Sequence, residues 1–365
     1  SYGAVGNSAI DPYQTIAGLS KYDYLFGEDA SNKFFAYRPS MIPNKDLGWE
    51  ISRTANFGVD FGLWNNRISG YIEGYITKTS DLLMERMLPF FTGFSKVWQN
   101  IGKTENKGIE LNIQANTLKT KSFSWETTVT FARNWNKITE LLGGGDIRNN
   151  SWFIGKPLQV HYNYEMIGVW QLGEEKEAQK YGAIPGDIKV KDQNNDGSIG
   201  ELDKVILGQK DPKIIASLLN SFRFGAFDAS INLNMNFGSL IHPNTYASLI
   251  TRDGLRWMPS NFKYWTPDNP TNEYTRADKL SGYDPFAGTG GYMKGDYIKI
   301  QDITLGYDFS KIMPKNWKIL RARLYAQVRN LGYIYKACKN DVSPEAPDFD
   351  YNIPTTYTMG INIDF

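Results

Sequence analysis

The chain has 365 residues, of which 14% are Phe, Trp or Tyr and 22% are charged, and its net charge at pH 7 is +1. This charge balance gives no electrostatic basis for binding nucleic acid or an anionic membrane surface. No run of about 18 apolar residues occurs, which excludes a membrane-spanning helix. The single cysteine, Cys338, excludes an internal disulfide and a cysteine-based zinc site.

Ten segments alternate between apolar and polar residues, the pattern of a strand whose two faces meet different surroundings. The clearest is 227–238, where apolar residues at odd positions alternate with Asp, Ser and Asn at even ones. In chain order the segments are 55–63, 67–78, 109–116, 124–134, 156–171, 214–224, 227–238, 297–309, 320–329 and 355–365. The sequence therefore predicts an all-β protein with about ten antiparallel strands.

The connections between these segments are of two kinds. Short turns are predicted at 64–67 and 224–227, whereas long polar stretches occupy 173–209, 238–295 and 331–354. A helix is predicted at 174–181, inside the first long stretch. Short turns on one side and long loops on the other are typical of an outer-membrane barrel, whose long loops lie outside the cell.

Alternation alone fits a soluble β-sandwich as well as a transmembrane barrel. Two features favour the barrel: the polar faces are rich in Asn, Gln, Arg and Asp, and the apolar faces end in aromatic residues. The chain also ends in an alternating segment with Phe365 last, which resembles the terminal strand of outer-membrane proteins, although a soluble core strand could end this way. The residues predicted to face lipid include Phe57, Val59, Ile231, Leu233 and Leu324.

A series of ordered motifs extends over the whole chain. They are RPS from Arg38, PNKDLGWE from Pro43, DFGLWNNRISG from Asp60, KTSDLLM from Lys78, QNIGKTENKGIELNI from Gln99, FSWETTVTFARNWNKITEL from Phe123, PGDIKVKDQNNDGSIGELDKVILGQKDP from Pro185, GDYIKIQDITLGYDFS from Gly295, RARLYAQVRNLGY from Arg321 and IPTTYTMGINIDF from Ile353. In this order they resemble the SusC/RagA family of TonB-linked outer-membrane proteins of Bacteroidetes-type bacteria. One departure is Ser343-Pro344-Glu345, where the family often has Asp-Pro-Glu.

The resemblance implies a fold, a location and a function. Residues 1–365 are expected to be the C-terminal part of a plugged barrel of roughly 22 strands, without the N-terminal plug and the first strands. The function implied is TonB-dependent import of bulky nutrients, oligosaccharides or oligopeptides, across the bacterial outer membrane. The implied partners are the lipid bilayer, a SusD-like surface lipoprotein that acts as a lid, and the TonB complex, which acts on the plug. No enzymatic activity is expected.

The segment 192–203 has the spacing of a calcium-binding loop. Asp192, Asn194 and Asp196 occupy positions 1, 3 and 5, Gly197 provides the turn at position 6, and Ser198 offers a carbonyl at position 7. The last ligand position is taken by Asp203, where an EF-hand has Glu. The sequence predicts a calcium ion bound more weakly than in an EF-hand, and the alternative is an Asx-rich turn that binds no metal.

Three aromatic residues of the long 238–295 stretch are candidates for substrate binding: Trp257, Tyr264 and Trp265. Such rings stack on sugars or on peptide side chains if they are exposed. The alternative is that they pack the loop onto its neighbours or onto a partner protein. One face of a predicted strand carries three arginines, Arg321, Arg323 and Arg329. These side chains are expected either to steer an anionic solute or to pair with carboxylates of the plug.

Two other classes of protein remain open as alternatives. A secreted, calcium-dependent carbohydrate-binding β-protein would explain the strands, the 192–203 loop and the loop aromatics, but not the order of the motifs. A β-sheet glycoside hydrolase would need two carboxylates at catalytic spacing, and none is singled out by the sequence. The two histidines, His161 and His242, are far apart in sequence and form no zinc-hydrolase motif.

Overall fold

A computed structural model of the chain describes residues 1–8, 15–26, 32–244, 246–247, 263–276, 286, 288–310, 312–314, 319–339, 342–347 and 353–365. The strands are β1 (Tyr2–Asn7), β2 (Leu19–Phe26), β3 (Asn32–Pro39), β4 (Glu50–Leu63), β5 (Ile68–Ser80), β6 (Leu83–Met87), β7 (Lys96–Asn100), β8 (Gly102–Lys119), β9 (Phe123–Leu141), β10 (Val160–Tyr164), β11 (Met166–Val169), β12 (Ile188–Val190), β13 (Lys204–Gln209), β14 (Ile214–Phe224), β15 (Phe227–Phe237), β16 (Leu240–Ile241), β17 (Met293–Lys294), β18 (Tyr297–Asp308), β19 (Arg321–Lys336) and β20 (Thr356–Asp364). The described helices include α1 (Glu175–Lys180), which confirms the helix predicted at 174–181. In this part of the chain no helix is long and apolar enough to cross a membrane.

Ten strands form one antiparallel sheet in the order β1-β4-β5-β8-β9-β14-β15-β18-β19-β20. Nine of the ten predicted segments lie in this sheet. The prediction of a single strand at 156–171 is wrong, because this segment forms β10 and β11, which belong to separate two-stranded sheets. A register shift after His161 and the positive φ of Gly168 (147°) interrupt the extended pattern there. The tenth strand of the sheet is instead β1, whose YGAVGN sequence has no clear alternation.

The first and last strands of the sheet each pair with one neighbour. Strand β1 pairs with β4 and β20 pairs with β19. Among the described residues β1 and β20 do not pair with each other, so the ten strands do not close on themselves. Each of the two edges thus carries backbone N–H and C=O groups that a further strand could satisfy.

The two predicted short turns are confirmed. In the first, Trp64, Asn65 and Asn66 all have positive φ (51°, 57° and 59°), and the backbone N–H of Arg67 donates to Trp64 O at 3.2 Å. In the second, Phe224 pairs directly with Phe227, and Gly225 has a φ of 59°. Two-residue hairpin loops require this left-handed backbone, which Asn and Gly adopt readily. The turns therefore fix the register of β4 with β5 and of β14 with β15.

The chain divides into two compact units. Unit 1 comprises residues 1–58, 73–109 and 134–159, and unit 2 comprises residues 59–72, 110–133 and 160–365. Unit 1 also contains the β2–β3 and β6–β7 hairpins, each a separate two-stranded sheet, and its buried apolar residues include Ile101, Ile138 and Leu141. In unit 2 a buried cluster forms among the loops around Tyr246 and Cys338.

Within unit 2 one sheet face is apolar across six strands. The rows of paired residues on this face include Val129-Leu218-Leu233-Ile300, Trp125-Phe222-Ala229-Leu305-Ala326-Met359 and Ile231-Ile303-Val328-Tyr357. This face is not a buried core, since Leu305 is 60% exposed and Met359 75% exposed. Exposed apolar area on this scale marks a surface that meets lipid or another protein.

The aromatic residues of this face concentrate where the strands meet their short turns. Trp125 stacks on Phe222 with ring centroids 5.8 Å apart, and Tyr307 lies edge-on to Phe227 at 4.6 Å and to Phe309 at 4.7 Å. Aromatic belts of this kind form at membrane–water interfaces. The predicted lipid-facing residues fit the same arrangement: Phe57, Val59 and Leu324 are exposed, and Ile231 and Leu233 lie in the apolar rows above.

Candidate functional site

The long connections of unit 2 build a small folded region of their own. Strand β10 pairs with β13, β11 with β12 and β16 with β17. These short pairs satisfy the backbone of connections that would otherwise be irregular. Side-chain hydrogen bonds join the two ranges 160–210 and 240–292: Asn163 Nδ2 donates to Gly288 O at 3.1 Å, and Asn272 Oδ1 accepts from the backbone N–H of Val169 at 3.2 Å.

A cleft of about 460 Å³ lies among these loops. Its lining consists of Glu165, Met166, Ile167, Gly168, Leu207, Leu240, Asn272, Thr289, Gly291 and Tyr292. Gly168 has a φ of 147°, and a Cβ at this position would lie 2.7 Å from Asn272 Oδ1. Glycine is therefore required where the chain passes closely under Asn272. The mixture of apolar wall and a few converging polar groups is typical of a small-ligand site.

Thr289 lines the cleft with a buried hydroxyl that lacks a hydrogen-bond partner among the described residues. Its side chain is 1% exposed. A buried hydroxyl without a partner is unfavourable by about 1–3 kcal/mol, so such groups are rare in folded proteins. The hydroxyl oxygen of Thr289 is itself shielded from solvent, so a ligand in the cleft bonds it only if the surrounding wall shifts.

Glu165 supplies the negative charge of the cleft. Its Oε2 accepts hydrogen bonds from Gln193 Nε2 at 2.9 Å and from Lys191 Nζ at 3.2 Å. These two bonds, the one from Gln193 being the larger effect, lower the pKa of the Glu165 carboxyl. The carboxylate is therefore ionised at neutral pH. Within the described part of the chain Oε1 has no partner, so it is free to accept a bond from an N–H or O–H group.

One wall of the cleft is stiffened by an aromatic cluster that contains both histidines. His242 stacks on Tyr292 with ring centroids 4.1 Å apart, and His161 lies edge-on to Tyr292 at 5.1 Å. His161 Nε2 donates to Leu240 O at 2.9 Å. Burial lowers the pKa of His161 and raises the pKa of Tyr292, so both rings are neutral at pH 7. Two residues that are far apart in sequence thus form one structural cluster.

The three aromatic candidates for substrate binding differ in what the structure says of them. Trp257 lies outside the described residues. Trp265 is only 7% exposed and donates its indole N–H to Gln171 Oε1 at 2.8 Å. Its ring also packs closely against Gly186, where an added Cβ would lie 2.6 Å from Trp265 Cε3. Trp265 thus packs the loop, the alternative considered above. Tyr264 is 37% exposed, and its role in substrate binding stays a prediction.

The predicted calcium loop is a closely hydrogen-bonded turn. Asp192 accepts from the backbone N–H groups of Asn195 at 2.6 Å and Gly197 at 2.9 Å. Asp196 Oδ1 accepts from the backbone N–H and the hydroxyl of Ser198, both at 2.8 Å. Gly197 has a φ of 84°, as the sharp turn at position 6 requires. Residues 192–198 therefore curl around their own side chains.

The far end of this loop returns to its beginning through Asp203. This carboxylate is 1% exposed, and it accepts from the backbone N–H groups of Gln193 at 2.8 Å and Gly200 at 2.7 Å. Each carboxylate oxygen retains a second lone pair, so the oxygen-rich donor set suits calcium chemically. In the described ranges, however, no three His, Cys, Asp or Glu residues are grouped closely enough to hold a metal ion. Calcium binding by Asp192, Asn194, Asp196, Ser198 and Asp203 stays a prediction.

The arginine row pairs with carboxylates of the sheet itself. Arg323 Nε donates to Asp228 Oδ1 at 2.9 Å, and Arg321 Nε donates to Asp308 Oδ2 at 3.3 Å. Arg329 lies opposite Asp302 in the register of β18 and β19. The partners expected for these arginines were an anionic solute or carboxylates of the plug. Partners within the sheet were not expected, because the pairing of strands is not visible in the sequence.

The Ser343-Pro344-Glu345 segment anchors a loop onto strands β18 and β19. Glu345 Oε2 accepts from Lys299 Nζ at 2.6 Å and from the Tyr333 hydroxyl at 2.7 Å. Lys299 is 3% exposed, so this ion pair is shielded from water. The glutamate thus has a structural role, and the serine that replaces the first residue of the family's Asp-Pro-Glu run leaves that role intact.

Comparison with known proteins identifies the class to which this fold belongs. The family described as "TonB dependent receptor-like, beta-barrel" matches residues 20–331. The chain therefore belongs to the family of TonB-dependent-receptor β-barrels, and it is an outer-membrane protein of the SusC/RagA type. This membership excludes the main alternative interpretation, a secreted carbohydrate-binding protein.

Individual relatives agree with this family. A TonB-dependent receptor of Formosa agariphila is 29% identical and is matched over 100% of this chain and 39% of its own length. The TonB-dependent receptor SusC of Bacteroides thetaiotaomicron is 28% identical over 94% of this chain and 34% of its own length. The chain thus spans 39% and 34% of the length of these two curated relatives. These relatives are named as receptors and not as enzymes.

Solved structures support the fold. The structure of the RagAB peptide transporter superposes with a TM-score of 0.75 at 22% identity, over all of this chain and 40% of the other. The "closed-closed" state of the RagAB peptide importer gives the same TM-score and identity. At this identity the likeness concerns the fold alone.

The residues of the cleft were not predicted from the sequence. Glu165, Asn272 and Tyr292 belong to no recognisable motif, and they meet only after the loops have folded. Thr289 has a weak sequence signal, because it lies among Gly288, Gly290 and Gly291. In such a glycine-rich stretch the backbone can approach other segments of the protein closely.

Proposed function

We propose that this chain is the C-terminal part of a TonB-dependent importer that takes up bulky nutrients, oligosaccharides or oligopeptides, across the outer membrane. The observation that carries the proposal is the two-faced sheet with its unpaired edges. Its apolar face suits lipid, and its opposite face carries hydrogen-bonded polar rows such as Asn232 with Asp302 and Arg323 with Asp228. A wide, water-filled lumen accommodates such rows better than the packed interior of a narrow barrel.

The partners of this importer are part of the proposal. A SusD-like surface lipoprotein would cover the side of the long loops, and the TonB complex would act on a plug that belongs to another part of the full-length protein. The support is the family membership and the likeness to SusC and to the RagAB transporter. Transport would then proceed by binding, lid closure and displacement of the plug, without covalent chemistry.

The cleft at Thr289 is proposed as a contact for the incoming nutrient. It lies on the long loops, which face the outside of the cell in this class of barrel. Glu165 Oε1 can accept hydrogen bonds and the Thr289 hydroxyl can accept or donate them, and the apolar wall of Leu207 and Leu240 can cover a sugar ring or an aliphatic side chain. These groups suit either nutrient class.

Uptake by cells tests the transport proposal. A strain that lacks the full-length gene should lose uptake of either labelled oligopeptides or labelled oligosaccharides, and the wild-type gene should restore it only when TonB is present. The Thr289→Val and Glu165→Gln variants should restore less uptake than the wild type at equal abundance in the membrane. If the deletion strain imports both classes as fast as its parent, the transport proposal is wrong.

A cross-link tests the proposal that the chain is part of a wider barrel. Cysteines placed on β20 at Thr358 and on β1 at Gly3 should form no disulfide in the full-length protein, because each edge would pair with a strand from elsewhere in the barrel. Cysteines at Thr358 and Gln327, which are paired residues on β20 and β19, provide the positive control. A disulfide between positions 358 and 3 would mean that the ten strands close on themselves.

A further inference from the structure

Unit 1 carries a group of basic side chains on the same sheet face as its exposed apolar residues. We name this group the basic rim, and it consists of Arg53, Lys78, Lys103, Lys107 and Lys137. Ser52 and Thr54 of β4 bond to Thr79 and Thr77 of β5 on the polar face, each at 2.8 Å. Because side chains alternate along a strand, Arg53 and Lys78 lie on the opposite face, and both are exposed.

The basic rim borders a cavity of about 650 Å³. Arg53, Lys78 and Lys103 line it together with Tyr2, Ala55 and Ile76. Tyr2 pairs with Ala55 across β1 and β4, so it belongs to the same face. Glu105 also lines the cavity, which therefore combines three cationic groups and one carboxylate with an apolar floor.

Positive charge exceeds negative charge around this cavity. Glu105 pairs with Lys107 at 3.1 Å and with Lys137 at 3.2 Å, and Glu140 pairs with Lys103 at 2.7 Å. Asp81 also acts on Lys103 electrostatically. Arg53 and Lys78 have no ion-pair partner among the described residues. The near-neutral charge of the whole chain thus conceals a local excess of positive charge.

The position of the rim along the strands fits the outer edge of a membrane. Arg53 lies about ten residues from the end of β4 at its short turn, and Lys78 lies about ten residues from the start of β5 at the same turn. Ten residues extend about 33 Å along a strand. With a tilt of about 35–45°, this corresponds to about 25 Å across the membrane, the height of the apolar band of such barrels.

The residues nearer the short turn on this face are apolar. Phe57 follows Arg53 by two steps on the same face and is 76% exposed, and Ile76 precedes Lys78 by one step and is 44% exposed. The face thus changes from apolar to basic at the level where acyl chains end and headgroups begin. Since short turns lie at the periplasmic end, this level is that of the outer leaflet.

We propose that the basic rim binds the phosphate of a glycolipid headgroup in the outer leaflet, with the acyl chains lying against Ala55, Ile76 and Phe57. Arg53 and Lys78 form charge-assisted hydrogen bonds with the phosphate oxygens. The tyrosine ring of Tyr2, which is 72% exposed, covers the sugar. This proposal depends on the proposed position of the sheet in the outer membrane. It is independent of which nutrient the protein imports.

Native mass spectrometry of the purified full-length protein in detergent tests this site. The probes are monophosphorylated lipid A and its dephosphorylated form. The wild type should bind the phosphorylated lipid, and the Arg53→Gln/Lys78→Gln variant should bind it about 30-fold more weakly, since each cation near a lipid phosphate contributes about a factor of five. The charge-preserving variant Arg53→Lys/Lys78→Arg should retain binding.

A matched control removes two exposed charges at the other end of β8. The Lys119→Gln/Lys121→Gln variant loses the same charge near the short turn and should bind lipid A like the wild type. Equal binding of the two lipid forms by the wild type, or unchanged binding by Arg53→Gln/Lys78→Gln, would overturn the proposal. Complete displacement of the lipid by millimolar inorganic phosphate would also overturn it, because the site would then hold a free anion. Lipid binding is measured without transport, so its outcome is independent of the uptake experiment.

Discussion

Asn232 on β15 donates a hydrogen bond from its side chain to Asp302 on β18 at 3.2 Å, on the polar face of the sheet. The next residue, Leu233, lies on the opposite face beside Ile300. A register shift between these two rows leaves Gln301 unpaired with β15, as in a β-bulge. Two adjacent residues of one strand thus belong to different environments, and this difference can be measured.

The first prediction compares an arginine at these two positions. Leu233→Arg should destabilise the full-length protein by about 2–4 kcal/mol, because it places a charge in the middle of the bilayer. Asn232→Arg should have a much smaller effect, because position 232 faces water and Asp302. Equilibrium refolding into phospholipid vesicles measures both. Similar destabilisation by the two variants would contradict the assignment of the faces.

The second prediction separates ligand binding from stability at Thr289. Thr289→Val removes a buried hydroxyl that has no partner among the described residues, so the variant should be as stable as the wild type or more stable by about 1 kcal/mol. Its affinity for the imported nutrient should nevertheless fall. Thermal unfolding and equilibrium binding measure the two effects, and Thr289→Ser serves as a control that keeps the hydroxyl. Unchanged affinity in the valine variant would exclude this hydroxyl from the site.

The third prediction concerns acidification of the loops. Burial lowers the pKa of His161 from its ordinary value of 6.5, and the neighbouring Lys210 and His242 lower it further, against the opposing effect of the bond to Leu240. The folded state therefore binds a proton less readily than the unfolded state. Stability contributed by the neutral ring is present above pH 6.5 and is lost as the pH falls below that value.

Amide hydrogen exchange in β10 and β13 measures this effect. Exchange corrected for the intrinsic pH dependence should be faster at about pH 5.5 than at about pH 7.5 in the wild type, since these values lie on either side of the ordinary histidine pKa. In His161→Gln, whose amide can still donate to Leu240 O, the difference between the two pH values should be smaller. An equal difference in both proteins would show that His161 does not govern the loop.

The fourth prediction concerns calcium at the 192–203 loop. In millimolar calcium, oxygens of Asp192, Asn194, Asp196, Ser198 and Asp203 should lie within about 2.3–2.6 Å of a bound ion. The melting temperature should rise with calcium in the wild type and not in Asp196→Ala. Magnesium serves as the control, because its smaller octahedral shell does not suit this loop. A structure in millimolar calcium without an ion among these oxygens would contradict the prediction.

Local sequence patterns predict the sheet well. The segments 214–224 and 227–238 match β14 and β15 almost to the residue because a two-residue turn and strict alternation fix both strands and their pairing. The prediction of one sheet strand at 156–171 is wrong, since alternation cannot reveal the bulge after His161 or the partner strands β12 and β13. Strand β1 is absent from the predicted segments because its two glycines weaken the alternation.

The sites are harder to predict than the sheet, because they depend on contacts between distant residues. The sequence makes Trp265 a candidate for stacking on a substrate, but its burial follows from packing against Gly186 and Gln171. His161 and His242 meet only because β10 approaches the segment that follows β15. The basic rim is invisible in the net charge, since Glu105 and Glu140 offset only part of its charge and the other carboxylates that balance it lie elsewhere in the chain.

The central claim is that the ten-stranded sheet crosses the outer membrane with one face in lipid. Nitroxide labels placed singly at positions 228–236 of β15 in the full-length protein, reconstituted in bilayers, test it most directly. Labels at 229, 231, 233 and 235 should be accessible to oxygen dissolved in lipid, and labels at 228, 230, 232, 234 and 236 to a water-soluble nickel reagent, which gives a period of two residues. If both sets report the same accessibility, or if the odd positions are shielded from both reagents as in a soluble core, the account is wrong.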